Sequence, residues 1–222
     1  MKVIYLVRHG QASFGQANYD QLSPLGIEQS QWVADYLLAK GLSFDTVISG
    51  SLQRHQQTAT PWLERTQAEL IIDPRWNEFD HQALIKRARS ANPAWIQPSK
   101  SLTDDDLLKL FQHAIKDWIN PANEQHYSES WSAFNQRVTL ALNATLERTQ
   151  KTALVFTSGG VISALIGQQW HLSAEQSMRL NWSMVNTGIS KLLVRHNTIQ
   201  VSTVNEYAHL DNATYMKNIT YK

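Results

Sequence analysis

The chain contains no cysteine, which excludes disulfides and thiolate metal centres and fits a cytoplasmic address. It also lacks any apolar run near the roughly 18–20 residues that a membrane span needs, so no membrane partner is expected. An excess of charge of one sign is missing too. With 20 basic and 19 acidic residues the net charge is +1, and no global field draws the protein to nucleic acid. Any affinity for an anion must therefore be local. No secretory leader is expected, because residues 3–7 already read as a strand. What is present is the profile of a globular protein: 222 residues, 42% hydrophobic and 18% charged, long enough to bury a substantial core. Eight Trp residues suit either a large core or an aromatic-lined cleft.

Strand and helix patterns alternate through the first half. "VIYLV" (3–7) is an uncharged strand, and residues 23–39 read as a helix, opened by Ser23-Pro24 and ended near Gly41. "FDTVISG" (44–50) predicts a second strand, 51–67 a helix carrying Pro61, and "AELIID" (68–73) a third strand. Strands separated by helices of this length imply a parallel sheet with helices on its faces. Residues 81–150 break the rhythm and read as a mostly helical insertion within a single domain spanning 1–222. Thr103 is placed to cap a helix there, and residues 131–150 predict another. "TALVFTSGG" (152–160) returns to a buried strand, with a helix from Val161 to Trp170, and residues 188–207 suggest a closing hairpin.

Ligands of parallel α/β sheets sit outside the carboxyl ends of the strands, and three such ends here carry unusual residues. They are Arg8-His9-Gly10, "SGSLQR" with Arg54 in the first turn of a helix, and "TSGG" with Ser158, Gly159 and Gly160 opening the next. A cation in a first helical turn opposes the helix dipole by about 0.3–1 kcal/mol, and a bound anion reverses that bias. Each element alone is unremarkable: a surface arginine, a turn histidine, a strand-to-helix turn. Together they describe a compact receptor for a dianion, with phosphate the obvious guest of two guanidinium groups.

Most of the chain resembles the histidine phosphatase superfamily, the phosphoglycerate-mutase-like fold. "LVRHGQA" resembles the signature of the nucleophilic histidine, and "LSPLGIEQS" (22–30) the element that follows it. "SLQRHQQTA" (51–59) is similar to the segment with the second phosphate-binding arginine, and "RWNE" (75–78) to the stretch with the acidic proton donor. The resemblance implies a three-layer α/β/α architecture with a mostly parallel sheet and a helical insertion over the active site. It also implies phosphoryl transfer without metal or cofactor. His9 would form a phosphohistidine, Arg8 and Arg54 would clamp the phosphoryl oxygens, and Glu78 would protonate the leaving group and then activate water. Ser158 and Gly159 would complete the phosphate site. Gln11, Phe14, Gly15 and His81 are candidate substrate contacts, and the substrate class is a phosphorylated small molecule or phosphoprotein.

Two departures from the family pattern stand out. Ser158 occupies the place of the family's second histidine, and "SFG" replaces the asparagine often found after the nucleophile. A lost ionic hydrogen bond costs roughly 10²–10³ in rate. The expectation is therefore a slow metal-independent phosphatase, with His81 offered as a substitute for the missing histidine. The alternatives are a phosphoryl-ligand binding or regulatory protein and, less favoured, a mutase. Lys86, Arg87 and Arg89 read either as reaching over the pocket or as a solvated basic surface. His209 reads as structural. His55, adjacent to Arg54, is expected to face away from the site, since neighbours on a helix diverge by about 100°.

Overall fold

A computed structural model of the chain describes residues 1–13, 20–91, 103–196, 198–211 and 214–221. Six strands form one mixed sheet, in the order β3-β2-β4-β1-β5-β6. They are β1 (Lys2–Arg8), β2 (Thr46–Ser49), β3 (Leu70–Ile72), β4 (Thr152–Thr157), β5 (Ile189–Arg195) and β6 (Thr198–Glu206). The first four pair in parallel, and the β5–β6 hairpin adds antiparallel to β1. Side chains alternate between the faces. Ile4, Leu6, Ile48, Ala153 and Val155 look to one core, whereas Val7, Val47, Leu154 and Phe156 look to the other.

The second core is covered by α1 (Pro24–Ala39) and α2 (Gln53–Thr66), through Val33, Leu37, Ala59 and Trp62. The first is covered by α3 (His81–Ala91), α4 (Asp104–Trp118), α5 (Trp131–Arg148) and α6 (Gly159–Trp170). This is the three-layer α/β/α arrangement. Ser23 caps α1 by accepting from the Gly26 N–H at 3.0 Å, and Thr103 and Asp106 close a capping box on α4. α2 runs unbroken through Pro61 and ends at Gln67 in the left-handed region, φ 56°. The described part of 81–150 holds α3, α4, the 3-10 turn Pro121–His126 and α5. The described tryptophans divide: Trp62, Trp76 and Trp118 are fully buried, with Trp118 4.7 Å from the Phe79 ring, whereas Trp170 and Trp182 are exposed. No described helix is long and apolar enough to cross a membrane.

Two expectations need correction. α6 begins at Gly159 rather than Val161, so the two glycines expected to open the helix lie within its first turn. A further helix, α7 (Ala174–Ser183), was not foreseen, although Ser173 and Gln176 spell a capping box at its start.

Candidate active site

Three strands end at one level because their registers align. Arg8 pairs with Thr157 across β1 and β4, and Ser49 pairs with Phe156 across β2 and β4. The order β2-β4-β1 therefore sets Gly50, Ser158 and His9 side by side, with α2 and α6 starting directly above the sheet edge.

His9 is buried, and its backbone is pinned on several sides. Its N–H donates to Thr157 O at 2.8 Å, and its carbonyl accepts from Asn186 Nδ2 at 3.1 Å. Nearby, Thr187 stands at φ 61°, which costs a β-branched residue about 1–2 kcal/mol. It is held there by its N–H bond to Arg8 O at 3.1 Å and by a 2.9 Å contact between its Oγ1 and His209 Nε2. His209 thus buttresses the end of β1, and burial lowers its pKa to about 4. The His9 ring places Nδ1 2.7 Å from Gly10 O. A carbonyl only accepts, so Nδ1 carries the proton and Nε2 presents its lone pair. Burial, then the guanidiniums of Arg54 and Arg8 and the neighbouring His55, hold the imidazole well below its ordinary pKa, so it stays neutral.

Arg8 donates Nη1 to the carbonyl of Met184 and, at 3.2 Å, to that of Tyr221. A β-carbon on Gly159 would stand 3.4 Å from Arg8 Nε, which locates the guanidinium against the start of α6. Arg54 is buried, in the first turn of α2. Its place against the dipole is answered within the protein: Asp20, which the sequence did not single out, accepts from Arg54 Nη1 at 2.8 Å and from the Gln53 N–H at 2.9 Å. Glu78 follows the short 3-10 turn Pro74–Trp76. The residue as a whole is half-buried, but its carboxylate lies in the interior, with Oε2 accepting from the Gly160 N–H at 3.1 Å. A side chain on Gly160 would overlap that carboxylate. Burial pushes the Glu78 pKa up, against the Gly160 N–H, Arg54 and Arg8, which all pull it down.

The structure thus brings Arg8, His9, Arg54, Glu78, Ser158 and Gly159 together at the carboxyl ends of β1, β2 and β4. His81 opens α3, where burial and then Arg54 lower its pKa. Gln11 is tied to the start of α1, its Oε1 accepting from Ser23 Oγ at 2.7 Å. Phe14 and Gly15 lie outside the described residues. Arg87 is bound between α3 and α4, 3.8 Å from Asp117 and over the Tyr127 ring, while Lys86 and Arg89 are exposed. The largest departure from the sequence reading is His55. It is fully buried, its ring centre lies 5.6 Å from that of His9, and its Nε2 is 2.6 Å from Ser158 Oγ. The 100° between neighbours does separate it from Arg54. The start of α2 is enclosed on both sides, however, so both directions lead inward.

The chain is similar to known proteins along most of its length. Residues 4–207 match the family model of the histidine phosphatase superfamily (branch 1). The chain is 30% identical over 210 residues to the adenosylcobalamin/alpha-ribazole phosphatase of Escherichia coli (strain K12), covering 82% of this chain and 89% of that protein. It is 26% identical over 225 residues to a probable phosphoglycerate mutase, GpmB, of Yersinia pestis (strain Pestoides F), covering 95% and 96%. Bacillus stearothermophilus YhfR superposes with a TM-score of 0.71 at 16% identity, covering 94% of this chain and 99% of that one, a likeness of fold. The chain belongs to the histidine phosphatase superfamily, and it is a phosphoric monoester hydrolase of that type.

Proposed function

We propose that the protein hydrolyses a small phosphorylated metabolite through a phosphohistidine at His9. The observation that carries this reading is the opposed tuning of two groups in one pocket. The imidazole is kept neutral with Nε2 bare, while a nearby carboxyl group is biased toward its protonated form. Nε2 of His9 attacks phosphorus as the bond to the ester oxygen breaks, and Glu78 gives its proton to the departing alcohol. Water then attacks the phosphohistidine, Glu78 takes the water's proton, and the P–N bond breaks to release inorganic phosphate and neutral His9. Arg8 and Arg54 offset the charge on the phosphoryl oxygens throughout. Asp20 yields its hold on Arg54 as the phosphate arrives. Ser158 adds a hydroxyl and the first turn of α6 adds backbone N–H groups. The α3–α4 segment selects the substrate.

The test is hydrolysis of an aryl phosphate and a panel of phosphorylated metabolites by wild type and His9→Ala. Turnover by the wild type that disappears in the variant supports the reading. Equal turnover by both proteins, or vanadate binding with no hydrolysis of any panel member, would reject it.

A further inference from the structure

The pocket holds one buried imidazole that this scheme leaves unused. Ser158 stands at the N-cap of α6, where a serine ordinarily accepts from a free backbone N–H of the first turn, yet its side chain makes no capping bond. The Gly160 N–H that would suit such a cap goes to Glu78 instead. The Ser158 hydroxyl turns to His55 Nε2 at 2.6 Å, and among the described residues it has no second partner. His55 Nδ1 is buried and has no hydrogen-bond partner. It lies against Gly50, where any side chain would overlap the ring, so the absence of a β-carbon there makes room for the imidazole.

These facts fix the protons. An N–H at Nδ1 would be buried without an acceptor, whereas one at Nε2 finds Ser158 Oγ, so the proton belongs on Nε2. With Nε2–H donating, the Ser158 hydrogen cannot point back at His55 and is left to turn toward the phosphoryl group. We infer that His55 is a positioning residue, holding Ser158 Oγ as an acceptor so that Ser158 donates to a phosphoryl oxygen. This rests on the proposed phosphoryl site. The pair, drawn from α2 and from the end of β4, supplies a polarised donor where serine alone would rotate freely.

Five variants read this out through kcat, KM and the affinity for orthovanadate: His55→Ala, His55→Gln, Ser158→Ala, His55→Ala/Ser158→Ala and His55→Ala/Ser158→His. His55→Ala and Ser158→Ala should each lower kcat about 10–10²-fold with a smaller change in KM, and the double variant should lose no more than either single one. Glutamine places a donor near the Nε2 position, so His55→Gln should recover most of the rate. His55→Ala/Ser158→His should do so as well, by bringing an imidazole from the other backbone. Should His55→Ala not fold, His55→Asn, whose amide ends short of Ser158, should match Ser158→Ala. Unchanged kcat and vanadate affinity in His55→Ala, or losses that multiply in the double variant, would overturn the inference. If His9→Ala keeps its turnover, the phosphatase scheme fails on its own. Coupling of residues 55 and 158 in vanadate affinity still decides the role of His55.

Discussion

Two helices begin at this pocket, and they are built in opposite ways. α2 opens with large cationic and aromatic side chains, Arg54 and His55, and an aspartate from residue 20 sits on its positive end. α6 opens with two glycines, and a glutamate from residue 78 packs on its bare backbone. Both helix starts therefore hold a carboxylate, but to different ends. Asp20 remains half-exposed and paired, an anion that a phosphate can replace. The Glu78 carboxyl group is buried with its pKa raised, which in the proposed scheme lets it carry a proton to a leaving group. The lesson is that a helix dipole alone does not define an anion site; what separates a clamp from an acid is the burial of the carboxylate it attracts.

The comparison is broken most severely at the group between the two helices. His9→Ala should reduce kcat at least ~10⁴-fold, since no other step is available without the nucleophile. Glu78→Gln should lose ~10²–10³-fold on an alkyl phosphate but only ~10-fold on an aryl phosphate, whose leaving group needs little protonation. Equal losses on both substrates would remove Glu78 from the acid role. Gly160→Ala drives a methyl group into the Glu78 carboxylate, so kcat should fall by about 10-fold or more with the helix intact by circular dichroism. The smallest effect belongs to α2. Asp20→Asn should tighten phosphate binding a few-fold by ending the competition for Arg54, while costing about 1 kcal/mol of stability in denaturant titration.

The pH dependence follows from the same contrast. In the proposed scheme His9, held low, would stay a nucleophile below the ordinary imidazole range, and Glu78, held high, would stay a proton donor above the ordinary carboxyl range. On alkyl phosphates kcat should therefore decline as pH rises through the raised Glu78 value. A buried carboxyl with a raised pKa contributes stability that is lost as its proton leaves with increasing pH. Glu78→Gln lacks that loss, so at neutral pH it should melt above the wild type, and the difference should vanish in acid.

Much of this was legible in the residues. Ser23-Pro24 and Thr103 marked helix starts because capping is local chemistry. The three strand ends could be assigned to one sheet edge because helices separated the strands. That β4 lies between β1 and β2 was not legible, since it depends on pairing across more than a hundred residues. Asp20 and His55 escaped for a related reason. Sequence adjacency says how two side chains diverge, but not that α2 is enclosed on both sides at its start. α7 carried its capping box in plain view but a weak apolar pattern.

The most direct test is to quench the enzyme with phosphorus-labelled substrate during turnover and map the label by peptide mass spectrometry. An acid-labile phosphoryl group on His9, formed and discharged at a rate matching kcat and absent from His9→Ala, is the predicted result. Turnover with residue 9 unlabelled, or with the label on any other side chain, would contradict the account.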